Sequence, residues 1–294
     1  MSEIDLFIVG AQKAGTTSMK NYLGEHPQII THLPSEFPFF YSDKEYKMGY
    51  ENIYNYYFNK SAPGDRKMVC KHAHLYSSEV ALQRLSIHNP NCKIIFLLRN
   101  PVYRTYSSYL MERLYNRVDF NFDEIVSALD GSGKLKLKDW QRSAIIDFGF
   151  YADYLKNIYK YFPKENVSLI LFEEFKESPL FFLKDVFRVL NVNPDFQPRV
   201  RIIHNESSSP RSTVVGDLIK RTIIQENSFK QFLKKILPNQ MSIRLGKGVR
   251  EINKTGKVKE KMKPETREFL YNFFKLNNEE LVSLTGLDIS KWSN

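Results

Sequence analysis

The sequence predicts an α/β protein, with a central parallel sheet flanked by helices, in a single domain over residues 1–294. Three observations predict it. Short apolar runs of strand character alternate with helical runs along the chain. The first apolar run enters the loop Gly10-Ala11-Gln12-Lys13-Ala14-Gly15 and then a helix, an arrangement that aims backbone N–H groups at an anion. Two strand ends, at Gly10 and Arg99, carry chemistry, and open parallel sheets bind ligands at the carboxyl ends of their strands.

The elements follow in order. Leu6–Val9 is wholly apolar and stops at a glycine, as a buried strand does. Thr16, Thr17 and Ser18 open an amphipathic run, and the helix is placed at Thr17–Glu25. Further strands are expected at Lys67–Lys71, Lys93–Arg99 and Val167–Phe172. Helical patterns occupy Val80–Ile87, Val102–Leu114, Phe150–Tyr161 and Leu180–Leu190, and Pro101 helps to start the second of these. From about 205 to 256, Ser207, Ser208, Ser209, Pro210, Gly246 and Gly248 mark an irregular excursion within the domain. A last helix has Pro264 in its first turn and carries Phe269, Leu270, Phe273 and Phe274.

A chain of 294 residues, 42% apolar and 14% aromatic, can bury a sizeable core. No run approaches the roughly 20 apolar residues of a membrane span, so no membrane partner is expected. Glu3 and Asp5 precede a very short apolar run, which does not read as a secretory signal. The two cysteines, Cys70 and Cys92, lie beside strand sequence and read as buried thiols, so a cytoplasmic location is expected. The net charge of +10 is uneven: residues 199–263 hold 16 Lys/Arg against 5 Asp/Glu. Such a surplus fits an anionic ligand, an acidic acceptor, a nucleic acid or a solvated face. Base stacking calls for aromatics interleaved with the basic residues, and here only Phe229 and Phe232 are present. A nucleic-acid or polyanion binding module is therefore the poorer reading, and no nucleic-acid partner is expected.

The loop is not that of a nucleoside triphosphatase. Such a loop reads G-x-x-x-x-G-K-[ST], whereas Thr16 follows Gly15 here and the lysine sits inside the turn, at Lys13. No apolar strand ends in an aspartate to hold Mg²⁺, and no His/Cys/carboxylate spacing suggests a metal site. A P-loop kinase is the alternative enzyme reading. A single phosphate with a less charged leaving group needs neither metal nor a following lysine, and Lys13 could neutralise charge on the bridging oxygen. In KIIFLLRNPVYRTYSSYL, Arg99 stands where the strand ends and Ser107 lies two helical turns on. The two could grip one isolated phosphate, or Arg99 and Arg104 could be ion-pair partners on the surface.

Together the two stretches resemble the sulfotransferases that use 3′-phosphoadenosine-5′-phosphosulfate (PAPS) and release 3′-phosphoadenosine-5′-phosphate (PAP). Gly10 to Thr17 resembles their 5′-phosphosulfate loop, and Arg99-Asn100-Pro101 with Arg104 and Ser107 resembles their 3′-phosphate motif. The likeness covers nearly the whole chain and is closest to bacterial sulfotransferases and to the sulfotransferase domains of heparan sulfate enzymes. It implies a P-loop-like sulfotransferase fold, PAPS as cofactor, no metal, and a glycan or small-molecule acceptor. It also assigns residues. Gln12, Lys13, Ala14, Gly15, Thr16, Thr17, Ser18, Arg99 and Ser107 are implied in cofactor binding. FGFYADYLKNIYKYFPKENVSLILFEEF resembles the unit that follows the 3′-phosphate motif, which carries over Tyr151. Lys254-Thr255-Gly256-Lys257 resembles a late loop closing over the cofactor, which carries over Thr255, Gly256 and Lys257. SEFPFF resembles a segment whose glutamate is the general base, here Glu36, and VCKHAHLY places a strand-end lysine at Lys71.

Two departures stand out. After the lysine the family has Ser or Thr and then Pro, whereas this chain has His72 and Ala73. The disulfide that precedes the late loop of the heparan sulfate enzymes has no cysteines here. His72 and His74 are rival candidates for the base, since neutral imidazole takes protons well near pH 7. His32 reads as loop, and His26, His88 and His204 as core or solvated residues.

Overall fold

Five apolar runs pair into one sheet, because each is too short and too apolar to be satisfied except between neighbours. In this computed structural model the described residues are 3–59, 64–199 and 262–293. The strands are β1 (Leu6–Gly10), β2 (Ile29–Thr31), β3 (Lys67–Lys71), β4 (Lys93–Leu98) and β5 (Val167–Leu171). All pair in parallel, in the order β2-β3-β1-β4-β5. Leu6 lies opposite Val69 on one side and Lys93 on the other. Every residue of central β1 is buried, and β4 is buried after Lys93, as expected of parallel strands covered on both faces.

Helices α1 (Thr16–Leu23), α2 (Asp43–Lys47), α3 (Tyr50–Tyr57), α4 (Glu79–His88) and α5 (Pro101–Leu114) follow in chain order. Then come α6 (Glu124–Asp130), α7 (Asp139–Ile145), α8 (Tyr151–Tyr161), α9 (Phe172–Glu177), α10 (Pro179–Val189) and α11 (Pro264–Thr285). The chain divides into two compact units. One comprises Met1–Arg104, Phe148–Ile203 and Phe274–Asn294, and contains the sheet. Its core holds Phe7, Ile8, Leu23, Phe40, Val69, Ile95, Leu97, Tyr151 and Leu155. The other comprises Thr105–Asp147 and His204–Phe273. There Phe122 packs on Tyr106 and Tyr109 with centroids 4.8 and 5.2 Å apart, and the Tyr109 hydroxyl donates to the Phe120 carbonyl at 2.8 Å.

Most expected elements appear within a residue or two of their predicted ends. β4 stops at Leu98, which leaves Arg99 beyond the strand, and β5 stops at Leu171 because Phe172 already opens α9. The short strand β2 and helices α2, α3, α6, α7 and α9 were not foreseen. The excursion over 205–256 lies outside the described residues. Among the described residues, no helix is long and apolar enough to cross a membrane.

Candidate active site

The chain leaves β1 for the edge of the sheet at β2 and returns through β3 before crossing to β4 and then β5. The direction of travel therefore reverses between β1 and β4, and that junction is where an open sheet offers a crevice. The loop after β1 and Arg99 after β4 meet there. Arg99 Nη1 donates to the Lys13 carbonyl at 3.0 Å, and its guanidinium lies over the Phe172 ring, 4.9 Å from the centroid. The Tyr151 hydroxyl donates to the Arg99 carbonyl at 2.9 Å. Burial pulls the Arg99 guanidinium below its ordinary ionisation range, and Glu173 opposes the shift.

The loop is held by its own backbone. Ala11 N donates to the Leu97 carbonyl at 2.7 Å, and Ala14 N to the Ala11 carbonyl at 3.1 Å. Lys13 and Gly15 both have left-handed backbones, with φ of 72° and 84°. At Gly15 a Cβ would also meet the Phe172 ring at 3.0 Å. Gly15 caps α1 without a side-chain bond, and no acidic residue sits in the helix's first turn. The amides there have no partner within the helix, and the macrodipole adds to their pull on an anion. With Lys13, Thr16, Thr17, Ser18 and Arg99 close in the chain or in space, this donor set suits a phosphate-type group.

Behind the loop stands Lys71, the last residue of β3, 1% exposed. Burying an ammonium is costly unless all three of its protons find acceptors. Here they do: Thr17 Oγ1 at 3.1 Å, the Ser35 carbonyl at 2.9 Å and Glu36 Oε1 at 2.6 Å. Burial lowers the Lys71 pKa, with the Glu36 charge and hydrogen bond working against it. Glu36 Oε2 accepts from Ala73 N at 2.9 Å. The carboxylate remains 36% exposed, in contrast to its partner. Phe37, Phe39 and Phe40 anchor its segment: all three are buried, and Phe37 N donates to the Lys71 carbonyl at 2.7 Å.

The rival bases occupy a different setting. His72 is 7% exposed and stacked on Tyr41 with centroids 4.3 Å apart, and its Nδ1 has no hydrogen-bond partner. Burial, with the His74 and Lys71 charges, pushes its pKa down to about 3. A shift in that direction works against proton uptake by this imidazole at neutral pH. His74 is half-buried, 5.0 Å from the Phe148 ring.

Other expected site residues fall in varied places. Tyr151 is fully buried, and its hydroxyl bond to the Arg99 carbonyl ties it to the strand-end arginine. Ser107 is buried on α5, in the second compact unit. Thr255, Gly256 and Lys257 lie outside the described residues. Asn100 ties the end of β4 to the end of the chain: Nδ2 donates to the Trp292 carbonyl at 2.8 Å, while Oδ1 accepts from Val102 N at 3.0 Å and starts α5. His32, read as loop, is buried and accepts from Lys71 N at Nε2, 3.1 Å away. Lys20 and Phe172 were missed entirely. Only the lysine's place among Met19, Tyr22 and Leu23 on the helix, and the aromatic just after β5, could have signalled them.

Comparisons with known proteins bear on the family and the fold. The human bifunctional heparan sulfate N-deacetylase/N-sulfotransferase 2 is 26% identical over 194 residues, 64% of this chain and 22% of that protein. The mouse bifunctional heparan sulfate N-deacetylase/N-sulfotransferase 4 is 29% identical over 196 residues, again 64% of this chain and 22% of the relative. The chain thus aligns with about a fifth of the length of these relatives. The crystal structure of a sulfotransferase from Alicyclobacillus acidocaldarius superposes with a TM-score of 0.67 at 24% identity, over 100% of both chains, and shares the fold. The sulfotransferase domain profile matches residues 3–286, a span that takes in the loop after β1, the Lys71–Glu36 pair and Arg99, and so the chain belongs to the sulfotransferase domain family.

Proposed function

We propose that the chain transfers a sulfuryl group from PAPS to a hydroxyl or amine of a glycan or small-molecule acceptor, by in-line displacement. One observation carries the proposal. The Lys71 ammonium bonds both to Thr17, in the first turn of the anion-binding helix, and to Glu36, a partly exposed carboxylate. An anion site and a proton acceptor are thereby joined through one buried cation.

The roles follow from the residues. When bound, the donor supplies the sulfuryl group and a phosphate leaving group. Amides and hydroxyls from Gln12 to Ser18 would hold the 5′ end, with Lys13 neutralising charge that develops on the bridging oxygen. Arg99 would hold the 3′-phosphate, its guanidinium fixed by the Lys13 carbonyl and the Phe172 ring. Glu36 would take the proton from the acceptor, and Lys71 keeps that carboxylate oriented. The weak basicity of His72 supports Glu36 for this task and leaves His72 and His74 to contact the acceptor. Free, buried Cys70 and Cys92 support a reducing compartment, the cytoplasm.

Incubation with sulfur-labelled PAPS and a panel of glycans and small hydroxyl or amine metabolites tests the proposal. Label should move to at least one acceptor class. No transfer across the panel, together with no binding of PAP, would overturn it.

A further inference from the structure

The segment that carries Glu36 has no regular secondary structure between β2 and Phe37. Backbone bonds hold it at two points, Leu33 N to the Tyr57 carbonyl at 3.0 Å and Phe37 N to the Lys71 carbonyl at 2.7 Å, and side chains hold it between them. Lys71 supplies part of this through the Ser35 carbonyl and the Glu36 carboxylate. A further part comes from a second buried lysine that the proposed mechanism does not use. Lys20, on α1, is 5% exposed, and its Nζ donates to the His32 carbonyl at 2.9 Å and to the Pro34 carbonyl at 2.7 Å.

Resting on the reading of Glu36 as base, we infer that Lys20 is a positioning residue for it, acting through the backbone of residues 32–34. The argument begins from cost. An ammonium at a buried helix position is expensive, and an apolar residue would fill the same place without that penalty. What the ammonium adds is two charge-assisted bonds to carbonyls that would otherwise be poorly satisfied. Those carbonyls lie two and four residues before Glu36. The far end of the same short path is fixed at His32, whose Nε2 accepts from Lys71 N. That bond requires a neutral ring with its proton on Nδ1, and burial beside Lys20 and Lys71 keeps the His32 pKa well below the ordinary histidine value.

A consequence follows for how the site is assembled. Thr17 and Lys20 are one turn apart on α1. The first reaches Lys71 and the second reaches the base-bearing segment, so both halves of the Glu36 clamp are registered against one helix. The end of that helix is the proposed donor site. Lys20 thus fixes the distance from donor to base without touching either reactant.

Three measurements on Lys20→Met and Lys20→Arg test this. Lys20→Met keeps most of the stem but loses the donors, and should lower kcat at least tenfold. PAP affinity and acceptor KM should change less than threefold. Lys20→Arg restores donation and should recover kcat to within threefold of the parent. Hydrogen–deuterium exchange should rise in the peptide spanning 32–37 of Lys20→Met and stay unchanged in the peptide of the loop after β1. If Lys20→Met melts below assay temperature, Lys20→Gln is measured on the same criteria. Unchanged exchange at 32–37, or unchanged kcat in an active protein, would overturn the inference. A parent protein that neither transfers sulfate nor binds PAP would instead defeat the proposed function, and the exchange result would still decide the place of Lys20.

Discussion

At the residue scale, the site turns on two buried lysines and one half-exposed glutamate. Lys71 can remain charged in the interior because three oxygens receive its protons, and one of them belongs to Glu36. Glu36→Gln keeps the shape and one acceptor oxygen, exchanges the other for an amide donor, and removes the basic site. Steady-state turnover should fall by about 10²–10⁴-fold, the range of general base catalysis, while calorimetry finds PAP affinity nearly intact. Lys13→Ala should lower turnover by about 10²–10³-fold, the scale of one lost preorganised donor; a rate within threefold of the parent would remove Lys13 from the mechanism. The buried histidines set a pH dependence of stability. His32 and His72 have folded pKa values below the unfolded value near 6.5, so the unfolded chain binds more protons in acid. Stability is fully present above about pH 6.5 and falls as pH drops below it, for His72 down toward its folded value of about 3. Urea titrations at pH 7 and pH 5 should show the loss, and His72→Asn should reduce it. Lys13 and Arg99 could be singled out from the local chain, at the turn after the first strand and at the end of β4, whereas Glu36 and Lys71 were singled out through the family resemblance. Lys20, His32 and Phe172 were not, since each acts on a partner that only the tertiary fold brings near.

At the element scale, the unit of β1, its loop and α1 explains why glycines stand where they do. Gly10 abuts the Tyr76 ring, where an added Cβ would lie 2.3 Å from the ring edge. Gly15 combines a left-handed backbone with Phe172 at 3.0 Å. Gly15→Ala should therefore cost about 1–2 kcal/mol of stability in a urea titration, the scale of placing a Cβ in left-handed backbone. It should also weaken PAP binding, because the amides that follow Gly15 move with it; unchanged stability would show that the loop relaxes freely. Elements were legible where punctuation is strong. The glycine that ends β1, the proline that opens α5 and the proline that opens α11 each mark a boundary that survives in the fold. Edge strand β2 was not legible, because three residues are too few to set an alternating or continuous apolar pattern. α9 was hidden because Phe172 continues the apolar run of β5 with no turn residue between them.

At the scale of the whole molecule, the order β2-β3-β1-β4-β5 places two short motifs, separated by more than 80 residues of sequence, at one reversal point. The parallel alternation of strands and helices announced that class of sheet. The strand order itself was not readable, because it depends on which edge each crossover chooses. Among the described residues no group of three or more His, Cys, Asp or Glu side chains is placed to hold a metal ion. Activity should survive excess EDTA, because the proposed roles of Lys13, Lys71 and Arg99 supply the positive charge, and a loss that Mg²⁺ restores would favour nucleotide-triphosphate chemistry. The central claim is that the loop after β1 and Arg99 together take a phosphosulfate nucleotide and not a triphosphate. Calorimetric titration of the protein with PAP, and separately with ATP and Mg²⁺, tests it most directly. The account predicts metal-independent binding of PAP that weakens by about 1.5–3 kcal/mol in Arg99→Ala, the scale of a charged hydrogen bond. Tighter binding of ATP with Mg²⁺ than of PAP, or PAP binding indifferent to Arg99→Ala, would contradict it.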